Sequence, residues 1–331
     1  MTISAEPGRK KIVCVGSALV DMLANEDESF LEAAGAAKGG MTLVESSYID
    51  DLVSKTSRDP VTVSGGSACN TAAGVGMLGG DARFVGKCGR DRLADVFEAD
   101  LVRHCVEPFL FRSQAPTGRV LSVITPDAQR TMFTYLGAAA EMSPEEITPE
   151  CFENAAVVHV EGYLLFNREL MMAVLEAARA SGAKVSLDLA SFNVVEESLD
   201  LLNRIVADYI DILIANEDEA FAYTGIEDEE KSLEALARET EIAVLKIGPR
   251  GSIIKCGREV ARIERMGDGS AADTTGAGDL WAAGFLHSLV EGCSFSQCGA
   301  LGSACGFEVC QLIGAKIEED GWQRIRQLLA V

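Results

Sequence analysis

At 331 residues, with 48% hydrophobic and 24% charged side chains, the chain can build a large α/β core with a small accessory unit, and its composition excludes extensive disorder. A formal net charge of −22 argues against an extended surface for nucleic acid, because phosphate neutralisation by Lys and Arg supplies most non-specific affinity. A small phosphorylated ligand stays admissible, since a helix N-terminus and a divalent cation meet its charge locally. No apolar run approaches membrane-spanning length, and residues 1–10 lack the apolar core of a signal peptide. Ten cysteines without a C-x-x-C pair, most set in apolar runs such as those of Cys14, Cys69, Cys305 and Cys310, read as buried reduced thiols of a cytoplasmic protein. His104, His159 and His287 are too scattered for a His-rich metal site.

Residues 11–16 (KIVCVG) predict a buried first strand of a parallel sheet. Residues 17–21 leave its carboxyl end, where ligands of open α/β sheets gather. Asp21 is therefore placed to accept hydrogen bonds from substrate hydroxyls, unless it is an ordinary solvated loop aspartate. Residues 41–45 and 61–63 read as short strands. Gly65-Gly66-Ser67-Ala68-Cys69-Asn70 then leads into a closely packed helix over residues 71–78. Its glycines let backbone approach a ligand, and Asn70 supplies both donor and acceptor. Gly74, Gly76 and Gly79 satisfy the dinucleotide-binding spacing G-x-G-x-x-G, yet no strand enters the first glycine, so the match reads as accidental.

A strand over 82–88 and a helix over 90–103 follow. Residues 119–125 and 130–135, separated by Pro126-Asp127-Ala128-Gln129, then predict an antiparallel hairpin. With the strand at Met41 this suggests a small sheet standing off the main domain, an edge extension of the main sheet being the alternative. Regular alternation resumes as strand 155–160, helix 168–180, strand 184–189, helix 196–207 and strand 209–215. That is the pattern of a doubly wound, mostly parallel sheet flanked by helices. Glu161-Gly162-Tyr163 and Asp188 fall at strand ends on the ligand side without an assigned role.

Asn216-Glu217-Asp218-Glu219 follows its strand at once. Asn216 and Glu219 share one helix face, where they hold a hydrated Mg2+ or cap the helix. Residues 228–230 read as solvated acids. Strand 242–247 ends in Gly248-Pro249-Arg250-Gly251, either a phosphate-side turn with Arg250 or a plain hairpin turn. Asp273-Thr274-Thr275-Gly276-Ala277-Gly278-Asp279 opens an apolar helix over 280–291. Gly276, Ala277 and Gly278 let an anion reach backbone N–H groups at the positive end of the helix dipole. A carboxylate beside that cradle, Asp279, reads as a catalytic base, against the plainer reading of a helix-start residue. A last helix spans 295–313, with small residues Gly299, Gly302, Ser303 and Ala304.

The D-T-T-G-A-G-D stretch, the G-G-x-x-x-N of Gly65, Gly66 and Asn70, and the N-x-x-E of Asn216 and Glu219 resemble the ribokinase (PfkB) family of sugar and nucleoside kinases over nearly the whole chain. The resemblance implies one ribokinase-like α/β domain over 1–331, with a β lid from segments near 17–23, 40–45 and 117–136. It implies ATP-dependent transfer to a primary hydroxyl, with substrate at Asp21, Gly65, Gly66 and Asn70, and Asp279 as base above the Gly276–Gly278 cradle. ATP is expected near Asn216, Gly248, Gly251 and the helix of Ser303, and Mg2+ through water at Asn216 and Glu219. Asp273 becomes the candidate ligand for a monovalent cation such as K+. No Walker A sequence is present, so the helix terminus itself must serve the phosphates.

Residues 16–21, Phe30-Leu31, Pro116-Thr117-Gly118 and 217–220 look closer to adenosine kinases. Ser17 departs from the Asn usual there, which leaves adenosine, another nucleoside or a free sugar as acceptor. A monomer is expected, or a homodimer paired through an apolar lid face. The competing classes are a non-catalytic sensor and a dehydrogenase resting on Gly74 to Gly79. Retention of Asp279, Asn216 and Glu219 together speaks against the sensor.

Overall fold

A computed structural model describes residues 8–36, 38–126, 129–267 and 271–329. Asp127 and Ala128 of the expected hairpin turn, and residues 1–7, lie outside the described residues. In chain order the strands are β1 (Lys11–Val15), β2 (Leu19–Asn25), β3 (Met41–Leu43), β4 (Val61–Gly65), β5 (Ala82–Cys88), β6 (Val106–Arg112) and β7 (Gly118–Ile124). There follow β8 (Arg130–Tyr135), β9 (Ala155–Glu161), β10 (Lys184–Asp188), β11 (Ile212–Asn216), β12 (Ile242–Lys246), β13 (Ser252–Cys256) and β14 (Glu259–Ile263).

Nine strands form the main sheet in the order β14-β13-β12-β11-β10-β9-β1-β5-β6. It is parallel from β12 to β6, and β13 and β14 extend it as an antiparallel hairpin. Both faces are apolar, as a parallel sheet covered by helices requires. The expected strands and helices of the alternating region are present, and Gly74 and Gly76 lie inside the helix Ser67–Met77. Gly74 packs there against Ala283 and Leu280 of the helix Ala277–Val290, so the dinucleotide-like spacing serves helix packing.

β6 was unforeseen because Pro108 interrupts its apolar run, but β6 is the edge strand, where a missing N–H removes no ladder bond. The hairpin β7–β8 is not an edge extension of the main sheet. It belongs to a separate five-stranded sheet ordered β3-β8-β7-β2-β4.

Asp21 lies within β2 of this smaller sheet and is 9% exposed, so it is not a solvated loop aspartate. Only residues 16–18 connect β1 to β2, so the chain crosses between sheets directly beyond the carboxyl end of β1. A second crossing runs from β4 into the helix Ser67–Met77 at Gly66, whose φ is +97° and where a Cβ would sit 2.4 Å from the Ser17 carbonyl oxygen. Both demands exclude a side chain there.

One apolar face of the smaller sheet is covered by the chain itself, while Met41, Leu43 and Val61 on its edge strands stay exposed. Helices Glu28–Ala33 and Ser46–Ser54 bring Leu31, Ile49 and Leu52 onto Leu121, Val123 and Phe133. Burying a side chain of that size contributes about 1.5–3 kcal/mol.

Candidate active site

The two crossings meet the N-terminus of the helix Ala277–Val290. Gly276 is its N-cap in the left-handed conformation (φ +75°), and no side chain caps this end. Ala277 N, one of the expected cradle donors, instead donates to the Thr274 carbonyl at 3.1 Å, and the other N–H groups at the positive end of this fourteen-residue helix can receive an anion. Asp279 sits in the first turn, half-buried. Its Oδ1 accepts from Ser67 Oγ at 2.7 Å and its Oδ2 from Asn70 Nδ2 at 2.8 Å. Thr71 Oγ1 donates to the Asp279 carbonyl at 3.1 Å. One helix therefore fixes this carboxylate by two hydrogen bonds and its backbone by a third. Burial raises the Asp279 pKa, Asn70 and Ser67 oppose that rise, and Asp188 adds to it. A carboxylate so oriented and so shifted can take up a proton.

Asp21 lies against Gly65, where a Cβ would come within 2.6 Å of the carboxyl carbon, so Gly65 makes room for the acid. Burial pushes Asp21 up to about 6 against the pull of Arg130. Arg130, noticed in the sequence only as the start of a strand, joins the two sheets. Its Nε and Nη2 donate to Ser122 Oγ at 2.9 and 2.7 Å, and its Nη1 donates to Thr275 Oγ1 at 2.7 Å. Its Nη2 also stands 3.5 Å from Asp21 Oδ2. Nothing local in the sequence could have revealed this, because Thr275 lies 145 positions away.

Glu161 closes the floor at 1% exposed. Its Oε1 accepts from Ser17 N at 2.8 Å and its Oε2 from Ala68 N at 3.1 Å, so one carboxylate holds both crossings. Burial pushes it from an ordinary 4.5 to about 7, with the Ala68 and Ser17 donors opposing and Asp279 contributing. Tyr163 follows in a 3-10 turn, 41% exposed, and its phenol is pushed up to about 12 by burial and by Glu161 and Asp279.

The other predicted residues are arranged differently. Asn216 caps the helix Glu217–Thr224 reciprocally with Glu219: Asn216 N and Nδ2 donate to the two Glu219 oxygens at 2.8 Å each, and Glu219 N donates back to Asn216 Oδ1 at 2.8 Å. Glu219 is 2% exposed. Among the described residues no group of three or more His, Cys, Asp or Glu side chains is arranged to hold a metal ion. The side-chain atoms of the pair are engaged in the helix cap.

Asp273 accepts from Thr275 N and Oγ1 at 3.0 and 2.8 Å and from Gly314 N at 2.8 Å, so both oxygens already organise the loop. Gly248 and Gly251 form the β12–β13 turn, and a Cβ at Gly251 would meet the Ile263 carbonyl oxygen at 1.9 Å. Arg250 is exposed, with Nη2 2.9 Å from Glu217 and 2.6 Å from Glu229. Ser303 is half-buried on the helix Phe295–Val309, one turn from Gly306, whose Cβ would lie 3.3 Å from the Ala277 carbonyl oxygen.

Two residues at strand ends complete the cradle. Lys246 at the end of β12 and Asp188 at the end of β10 pair at 2.8 Å, and Lys246 Nζ stands 3.1 Å from the place of a Cβ on Gly278. A cavity of about 330 Å3 between β4 and the helix Arg92–Arg103 is lined by Thr62, Val63, Arg92, Asp95, Asp100 and Lys316 among others, and does not include Asp279.

A two-sheet α/β fold whose sheet crossings converge on an uncapped helix N-terminus and an oriented carboxylate defines a kinase of small hydroxyl compounds, with ATP as phosphoryl donor. The chain belongs to the pfkB carbohydrate kinase family, whose model matches residues 9–320. An adenosine kinase from Sinorhizobium meliloti is 34% identical with a TM-score of 0.87, covering 97% of this chain and 99% of that one. A probable sugar kinase from Rhizobium etli CFN 42 is 31% identical with a TM-score of 0.88, covering 98% and 99%. The adenosine kinase of Schizophyllum commune is 26% identical over 314 residues, 85% of this chain and 89% of that protein. Membership removes the dehydrogenase reading. Among the described residues no helix is long and apolar enough to cross a membrane.

Proposed function

We propose that the chain transfers the γ-phosphate of ATP to a primary hydroxyl of a nucleoside, with adenosine the favoured acceptor. The observation that carries the chemistry is Asp279, oriented by Ser67 and Asn70 beside an uncapped helix N-terminus. In this reading the acceptor hydroxyl lies between Asp279 and the phosphate. Its oxygen forms a bond to the γ-phosphorus, the bond from that phosphorus to the bridging oxygen breaks, the hydroxyl proton passes to Asp279 and ADP leaves with the electron pair. The Gly276 and Gly278 backbone N–H groups receive the transferred charge, since Ala277 N already donates to the Thr274 carbonyl at 3.1 Å. Asp21 and Gly65 form the opposite wall for sugar hydroxyls, and Asn70 acts through the base.

Arg130 ties the smaller sheet to Thr275, so this sheet closes over the acceptor as a lid and keeps water from competing for the phosphoryl group. Mg2+ enters as the counter-ion of the ATP phosphates rather than in a protein cage. Asp273 remains the candidate for a monovalent cation, with loop carbonyls supplying the other ligands.

The nucleoside reading is supported by the 34% identity with the Sinorhizobium meliloti enzyme and by the partly exposed Tyr163 ring, a flat surface suited to a base. A free sugar is the second reading, favoured by the Rhizobium etli neighbour and by Ser17. ATP consumption measured in parallel with adenosine, other nucleosides, ribose and fructose decides between them. Turnover with a sugar and none with any nucleoside would end the nucleoside reading.

A further inference from the structure

We infer that Lys246, held in place by Asp188, is the cation that contacts the γ-phosphoryl group at the cradle. This inference rests on the kinase reading above and assigns that reaction a residue no sequence motif marks. Lys246 is only 14% exposed and Asp188 7%. A buried pair of this kind is a poor source of stability, because desolvating both charges offsets their attraction. Its position gives it another use. Lys246 Nζ occupies the space next to Gly278 where a side chain would begin, beside the backbone that faces the anion.

An ammonium carries three donors, and the described contact of Lys246 uses one, to Asp188 Oδ2 at 2.8 Å. The other Asp188 oxygen accepts from Ala190 N at 3.0 Å, which fixes the carboxylate and with it the lysine. The surroundings are acidic. Asp279 and Glu219 both interact with Lys246, in a chain of net charge −22, so an incoming polyphosphate needs a local cation. Arg250, the basic residue of the neighbouring turn, is already held on the surface by two glutamates. Burial alone would lower the Lys246 pKa, but Asp188 and Glu219 outweigh it and raise the pKa, so the side chain enters the reaction charged.

Lys246 transfers no proton in this scheme. It donates N–H groups to the non-bridging oxygens of the phosphoryl group while phosphorus passes from ADP to the acceptor oxygen and Asp279 takes the hydroxyl proton. Asp188 is a positioning residue that acts through Lys246.

The test compares the wild type with Lys246→Met, Lys246→Arg and the charge-balanced double variant Lys246→Met/Asp188→Asn, which avoids leaving an unpaired buried acid. Loss of one charge-stabilising donor lowers kcat by about 100-fold in both Met variants, with the acceptor KM changed by less than about threefold. Binding of ATP weakens by roughly tenfold more than binding of ADP, a preference that a merely structural pair would not move. The Arg variant recovers part of the loss. A double variant with wild-type kcat and an unchanged ATP-to-ADP preference overturns the inference and leaves the kinase reading intact. A wild type that neither binds ATP nor phosphorylates any acceptor overturns both.

Discussion

On the Asp279 side of the cleft the polar groups bridge segments far apart in the chain. Ser67 and Asn70 reach Asp279 across more than 200 residues, Arg130 reaches Thr275 across 145, and Glu161 joins Ser17 and Ala68. On the side of the β12–β13 turn most polar groups serve their own neighbourhood. Asn216 and Glu219 cap one helix, Arg250 binds surface glutamates only 33 and 21 residues away, and Gly251 satisfies the turn. Long-range contacts position chemistry, and local ones finish secondary structure. The Lys246–Asp188 pair is the exception on the second side, joining two strand ends, and it lies against the cradle.

Substitutions on the two sides should therefore separate. The largest effect is expected for Asp279→Asn, which keeps the shape and removes the proton acceptor. Turnover falls by about 1,000-fold while a thermal shift with ATP persists. Near-normal turnover would break the contrast at its strongest point.

Asn70→Ala should lower kcat by about tenfold or more, and it also moves the pH profile. Turnover needs the Asp279 carboxylate, so kcat/KM rises with pH through the pKa of that group, which lies above the ordinary aspartate value. Asn70 holds that pKa down, so its removal shifts the acid limb to higher pH; a limb that stays put would detach Asn70 from the base.

Glu161 sharpens the comparison through stability. A folded pKa of about 7 against an ordinary 4.5 means that its contribution is fully present below pH 4.5 and is lost as pH rises through 7. Relative to Glu161→Gln, which does not titrate, wild-type stability should fall by up to about 3 kcal/mol across that window. Urea unfolding at pH 4.5 and pH 8 checks this, and a constant gap between the two proteins would contradict it. The smallest effect belongs to Arg250→Ala on the local side, with kcat within about twofold of wild type, since exposed ion pairs contribute little. A tenfold loss there would show that the turn does more than turn.

Much of this was legible in the order of residues. Alternating apolar runs marked the parallel strands from β9 to β12, and the small residues before Asp279 marked an anion-accepting helix start, because both depend on neighbours a few positions apart. β6 was hidden by Pro108, whose acceptability depends on an edge position that no local pattern encodes. The hairpin β13–β14 was hidden too, since Glu259–Ile263 carries two charges in five residues. The residues of β2 carried no strand pattern of their own, because the chain changes sheets within three residues and only pairing in the second sheet turns that segment into a strand.

By itself the sequence determined the α/β class, the helix that opens on glycine and the identity of the carboxylate at its head, since periodicity, small side chains and dipole placement act over a few bonds. Tertiary structure alone decided that Arg130 would join the sheets, that Glu161 would hold both crossings, and that Lys246 would stand beside Gly278. Those contacts arise when strand ends separated by dozens to hundreds of residues converge, and their distances belong to the packing of the two sheets rather than to any stretch of chain.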